Sequence, residues 1–217
     1  MNPKPEKNDF FQKHEVEDYE KRRYRGLDQR MVHARERAVL RKMIGQTGVE
    51  KGFILDVPCG YGRFSEAITS GERNLVSSDL SFHMVDRAVK RSPYLKSHFG
   101  VVANAKRGLP FKTNTFEFIL CMRFFHHVHD PDERDNILAE FARVTSRWVI
   151  VSYYQANAIH ALQRKLRKTF KKSRAKISMI PRSQLLCELE KNGLRAVRIT
   201  PLFRGLHAHH FVLCEKA

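Results

Sequence analysis

From Gly52 to Tyr154 the sequence alternates short apolar runs with amphipathic ones, and that alternation restricts the chain to few architectures. GFILDV, NLVSSDL, TFEFILCM and RWVIVSYY are four to eight residues of mainly apolar character, the signature of strands buried on both faces. Between them, RFSEAITSG, SFHMVDRAVKRS and DPDERDNILAEFARVTS read as helices, the last with Ile137, Leu138, Phe141 and Val144 on one face and Asp130 or Asp132 at its start. FGVVAN adds a short strand. After Arg182 come a helix, RSQLLCELEKNGL, closed by Gly193, and then RAVRITPLF and HHFVLCEK, which read as a hairpin rather than another crossover. Repeated strand–helix–strand units imply an α/β, Rossmann-like, doubly wound sheet of seven strands ending in an antiparallel hairpin. Ligands of such a sheet bind at the carboxyl ends of its strands.

Residues 9–44 read as two charged helices interrupted at Gly26, so the expected organisation is an N-terminal helical cap over 1–45 and a main domain over 46–217. With 217 residues, 42% hydrophobic and 29% charged, the chain suits one core. No apolar run approaches the roughly 20 residues that span a bilayer, and the N-terminus lacks a secretory apolar stretch, which predicts a cytoplasmic protein. Cys59, Cys121, Cys187 and Cys214 form no paired spacing, so reduced thiols are expected and no metal site.

The first strand runs into a tight turn, FILDVPCGYGRF. Asp56 ends the strand, Gly60 and Gly62 make the turn, and Asp79 ends the second strand nineteen residues after Gly60. An acid there is placed to accept from ribose hydroxyls. A nicotinamide cofactor would call for a third glycine, but Ser65 stands there, and an acid before the glycines suits an ammonium group rather than a pyrophosphate.

This stretch resembles the first motif of class I S-adenosylmethionine-dependent methyltransferases, acid-x-G-x-G-x-G, with Pro58 in place of the first glycine. More closely, it is similar to the methyltransferase type 11 group, which includes ubiquinone and menaquinone methyltransferases. VSSDLSFHMV, NAKRGLPFKTNTFEFILCMRFFHHVHD and ILAEFARV resemble that group's later segments in the expected order. The resemblance implies S-adenosylmethionine as cofactor. Asp56, Gly60 and Gly62 would surround its methionine part, Asp79 its ribose and Leu80 its adenine. Asn104 and the backbone of Ala105 would address the adenine edge, with Arg123 beside the cofactor at the end of the fourth strand. Proline fixes φ near −65° and removes one N–H, so Pro58 reads as stiffening the entry to a working turn.

Methyl transfer needs an aligned acceptor, excluded water and sometimes a base. His126 and His127, in RFFHHVHD after the fourth strand, are the candidate pair, since a neutral imidazole takes a proton near neutral pH. A second histidine group, His207, His209 and His210, lies in the terminal hairpin. Tyr153 and Tyr154 end the fifth strand. Tyr19, Arg22, Arg23 and Tyr24 lie in the N-terminal helices.

Net charge is +17. No acid occurs between Glu140 and Glu188, and eight of the thirteen residues from Arg164 to Lys176 are Lys or Arg. Leu162, Leu166 and Phe170 recur every four residues, which predicts a basic amphipathic lid within 157–182 and contact through 160–176 with an anionic membrane surface. A small-molecule or lipid-like acceptor fits this pattern. RNA fits the charge but lacks interleaved aromatic platforms. A cofactor-binding protein without catalysis is the reading from a different class.

Overall fold

The computed structural model describes residues 26–69, 72–93, 97–156, 178–204 and 207–217. Helix α1 (Leu27–Thr47) leads into β1 (Lys51–Asp56), a short α2 (Ser65–Ile68), β2 (Glu72–Asp79), α3 (Phe82–Arg91) and β3 (His98–Val102). There follow β4 (Phe116–Cys121), a 3-10 turn (Phe125–His127), α4 (Pro131–Val144), β5 (Thr145–Tyr154), α5 (Arg182–Lys191), β6 (Leu194–Pro201) and β7 (His209–Lys216). The sheet has seven strands in the order β3-β2-β1-β4-β5-β7-β6. β7 inserts antiparallel between β5 and β6, pairing Tyr154 with His209 on one side and Pro201 with His210 on the other.

Alternation along the strands builds two cores. Ile54, Phe118, Leu120, Ile150 and Leu213 face Val39, Leu40, Met43 and Ile44 of α1. Their sequence neighbours Leu55, Ile119, Val149, Val151 and Val212 face Ile137, Leu138 and Phe141 of α4 and Leu185 and Leu189 of α5. Both faces are covered, which is why these strands read as continuous apolar runs. Asp130 caps α4, its side chain accepting from the Asp132 N–H, and Pro131 occupies the first turn, where its missing donor costs nothing.

Two local expectations change. The helix read over 63–71 shortens to Ser65–Ile68, because Arg63 and Phe64 stay in the turn, where the Ser65 N–H donates to the Gly62 carbonyl at 3.3 Å. The first helix continues through Gly45 to Thr47 and stops at Gly48, whose φ of +65° is the left-handed closure glycine permits. The helix expected before Gly26, the four residues Tyr19, Arg22, Arg23 and Tyr24, and the basic stretch 157–177 lie outside the described residues. Among the described residues no helix is long and apolar enough to cross a membrane. Cys59, Cys121 and Cys214 are buried free thiols, while Cys187 is exposed.

Candidate functional site

The ends of β1, β2 and β3 meet at one edge of the sheet. Asp56 pairs in register with Ser77 on one side and Leu120 on the other, which puts its carboxyl where the strand order reverses. It is 1% exposed, and neither carboxylate oxygen has a hydrogen-bond partner. Burial, reinforced by the charge of Asp79, pushes its pKa well above the ordinary value. A buried carboxylate without partners is costly unless a cation or donor faces it. The donor set around Asp56 therefore suits a ligand that brings an ammonium group to this point.

Asp79 is arranged differently. Its Oδ2 accepts from the Gly60 N–H at 3.0 Å and its Oδ1 from the Ser81 N–H at 3.1 Å. Burial raises its pKa, against the opposing effect of the N–H groups of Ser81, Gly60 and Leu80. A carboxylate offers about four acceptor directions, so two oxygens already bonded once can each accept again. Ser81 also caps α3, its hydroxyl accepting from Met84 N. One acid thus closes the glycine turn and starts the next helix.

Gly60 has φ +52° and Gly62 φ +76°. A Cβ on Gly62 would lie 2.8 Å from the Ala88 Cα of α3, so this glycine serves close packing of turn on helix. The Val57–Pro58 peptide is cis. Leu80 is 41% exposed and Phe82 64%, leaving an apolar wall directly after β2. The Ala103 N–H donates to the Asp79 carbonyl at 3.0 Å, bringing Asn104 and Ala105 beside that wall. Asn104 Oδ1 accepts from Lys106 N at 3.0 Å, a turn bond, and Ala105 is buried among Leu55, Val57 and Val76.

On the other half of the same edge, the 3-10 turn Phe125–His127 holds His126 and His127 with ring centroids 3.9 Å apart. His126 meets Tyr154 edge-on at 5.1 Å, and Tyr154 stacks on His209 at 5.0 Å and 18°. The two histidine groups of the sequence are therefore joined across Tyr154. His207 stands 6.1 Å from both Tyr154 and His209 and accepts the His209 N–H through Nδ1 at 3.0 Å. His210 turns the other way, toward Tyr153, whose buried hydroxyl donates to Gln155 at 2.8 Å and is pushed up to about 12 by burial. Among the described residues no three His, Cys, Asp or Glu side chains are grouped to hold a metal ion.

Arg123 follows β4 at φ +53°, its N–H donating to Ser152 Oγ at 2.7 Å. Its guanidinium turns to Glu36 of α1, Nε donating at 2.8 Å. Glu36 is completely buried, also receives Arg63, and lies 3.4 Å from His209 Nδ1. Burial alone would raise the Glu36 pKa, but His209, Arg123 and Arg63 together hold it down to about 2. His209 is lowered to about 4, chiefly by burial and against the pull of Glu36, so it is neutral near pH 7. Sequence reasoning missed Glu36. The available signal was its place on the buried stripe of α1, three, four and seven residues before Val39, Leu40 and Met43.

Residues 54–147 match the model of a family described as methyltransferase domain. The match is to a methyltransferase domain and does not single out the type 11 subgroup. No curated protein sequence matches the chain significantly. Among solved structures, magnesium protoporphyrin IX methyltransferase from Synechocystis PCC 6803, with bound SAH, is 14% identical, with 92% of this chain and 94% of that chain covered and a TM-score of 0.75. A SAM-dependent methyltransferase from Methanosarcina mazei is 20% identical over 77% of this chain and 93% of that one, TM-score 0.64. A geranyl diphosphate methyltransferase in complex with SAM is 13% identical over 84% and 86%, TM-score 0.62. At such identities the likeness is one of fold.

Proposed function

We propose that this chain, a class I S-adenosylmethionine-dependent methyltransferase by its matched domain and its fold, methylates a small-molecule or lipid-like acceptor. The observation that carries the reading is Asp56, a buried carboxylate with both oxygens unpartnered beside an Asp79 already held by two backbone N–H groups. That pair divides two tasks, a site for an ammonium group and a site for sugar hydroxyls. Asp56, with the turn at Gly60 and Gly62, takes the methionine end of the cofactor. Asp79 takes the ribose, Leu80 lies against the adenine, and Asn104 and Ala105 line its edge. Arg123 stands beside the cofactor at the end of β4.

S-adenosylmethionine supplies an electrophilic methyl carbon on a sulfonium. The protein's own part is to present the acceptor in line, keep water away and remove a proton where the acceptor loses one. His126 and His127 are the base pair in this reading, with Tyr154 and His207 forming the adjoining wall. Two structural neighbours are named for magnesium protoporphyrin IX and geranyl diphosphate, both small molecules, which supports an acceptor of that class.

The basic stretch bears on the acceptor through its two described ends. Ile180 N donates to the Tyr154 carbonyl at 2.8 Å, Ala156 N to the Ile180 carbonyl at 3.0 Å, and Ser178 N to the His126 carbonyl at 3.0 Å. The chain therefore leaves and re-enters the fold beside His126 and Tyr154, and between those points it carries eight Lys or Arg and no acid. A stretch of that composition, flanked by residues bonded to Tyr154 and His126, supports an acceptor presented at an anionic membrane surface, with residues 1–45 as cap and 157–182 as lid.

The purified protein, given S-adenosylmethionine with a labelled methyl group and a cell extract, should label the lipid or small-molecule fraction. Label confined to RNA would refute the acceptor class. Cofactor binding without transfer to any fraction would favour the non-catalytic alternative. Substituting the basic residues 164–172 by Gln should abolish sedimentation with phosphatidylglycerol vesicles, and retained sedimentation would remove the membrane reading.

A further inference from the structure

Glu36 is the one residue of the described N-terminal helix that reaches both halves of the site, and no role described above uses it. Its buried carboxylate receives Arg63, the residue directly after Gly62 in the glycine turn. It also receives Arg123, which leads from β4 into the turn holding His126 and His127. His209, stacked on Tyr154, completes the ring at 3.4 Å. Arg63 is fixed on its other side by donating Nε to His33 Nδ1 at 3.0 Å, one helical turn before Glu36. That bond requires an unprotonated His33, and burial with the Arg63 charge lowers His33 to about 4.

We propose that Glu36 is a positioning residue that holds the cofactor turn and the acceptor wall in register with each other through Arg63, Arg123 and His209. The proposal deepens the methyltransferase reading and rests on it. Three features argue for positioning rather than generic packing. The partners come from three separate segments, and each lies within a few residues of a candidate ligand contact. Arg123 is held at a positive φ, a conformation uncommon for a residue with a side chain, so its backbone is constrained by what it bonds. The apolar stripe of α1 already attaches the helix through Val39, Leu40, Met43 and Ile44, so a carboxylate at Glu36 is not needed for attachment alone. A Leu there would continue the stripe without desolvating a charge.

Two other arginines of α1 bond elsewhere. Arg37 pairs with Glu66 of α2 at 2.6 Å, and Arg35 donates to the Leu202 carbonyl at 3.1 Å. Both tie α1 to its surroundings away from the Glu36 carboxylate.

The test measures S-adenosylhomocysteine binding by calorimetry on folded protein, for wild type, Glu36→Gln, Arg63→Gln and a control, Glu188→Gln. Glu188 forms a buried ion pair with Arg134 between α4 and α5, so its loss lowers stability without touching the cofactor turn. The expected result is a Kd raised about tenfold or more in Glu36→Gln at unchanged circular dichroism, with the control within about twofold of wild type. Arg63→Gln, which keeps the Glu36–Arg123 bond, should raise Kd in the same direction and serves if Glu36→Gln does not fold. A folded Glu36→Gln with wild-type Kd overturns the proposal, as does an equal loss in Glu188→Gln. If Glu36→Gln is unfolded, wild-type Kd in Arg63→Gln overturns it. A wild type that binds no S-adenosylhomocysteine overturns the cofactor reading itself, and this proposal with it.

Discussion

Replacing Asp56 by Asn should separate ligand binding from fold stability in opposite directions. In the absence of a ligand the Asp56 carboxyl is 1% exposed, unpartnered and turned toward the charge of Asp79. The titratable groups around it are Asp79 from β2, Cys59 from the turn and Cys121 from β4, and burial keeps both thiols in the neutral form. Among the described residues no cation compensates it. A carboxyl whose folded pKa is raised binds more protons folded than unfolded. Its contribution to stability is full below the unfolded value near 3.8 and is lost as pH rises through the raised folded value. Near neutral pH, Asp56→Asn removes that charge penalty while keeping an unbonded amide, so the melting temperature should rise by about 2–4 °C, the shift for about 1 kcal/mol in a chain of this size. Binding should move the other way. Removing one partner of a buried charge pair costs about 2–5 kcal/mol, which at about 1.4 kcal/mol per decade is a Kd increase of about 30-fold to several thousandfold for S-adenosylhomocysteine. 5′-Methylthioadenosine, which lacks the amino-acid end, should bind wild type and variant within about twofold. On the acid side of the raised Asp56 pKa the wild-type affinity should fall about tenfold per pH unit. Equal Kd values for variant and wild type, or an equal loss for both ligands, would refute the assignment of Asp56 to the ammonium group.

Asp79→Ala should weaken S-adenosylhomocysteine and 5′-methylthioadenosine together, because both carry the ribose, while circular dichroism shows a folded protein; unchanged affinity by calorimetry would reject the ribose role. Gly62→Ala places a Cβ 2.8 Å from Ala88 at φ +76° and should cost about 1–3 kcal/mol, a fall of several degrees in a thermal melt. An unchanged melt would mean α3 shifts to accept it. Glu188→Gln leaves Arg134 buried with a weakened partner and should lower stability by up to about 3–5 kcal/mol in urea unfolding, with little change in cofactor Kd.

The parallel sheet and its ligand edge were legible because its central strands β4 and β5 are buried along most of their length and each turn carries its own punctuation. Apolar runs such as FILDV and FILCM can satisfy their period only inside a covered sheet, and Asp56, Gly60 and Asp79 sit at strand ends by count alone. Asp130 at the start of α4 and Gly193 at the close of α5 were likewise local signals. The histidines of the terminal hairpin reach the ligand edge because β6 runs in the direction of β5 and β7 returns antiparallel between them.

What the sequence determined by itself was therefore the local and periodic part: where strands end, which acids stand there, and which helices have an apolar face. The tertiary structure alone decided which distant groups meet. It turned Gly62 onto Ala88, ran β7 between β5 and β6, joined His126 to His209 across Tyr154, and directed Arg63 and Arg123 onto Glu36. Glu36 and Arg123 are 87 residues apart. An ion pair of that kind has no period, because a charge is buried only where packing brings its partner and excludes the water that would otherwise hold it.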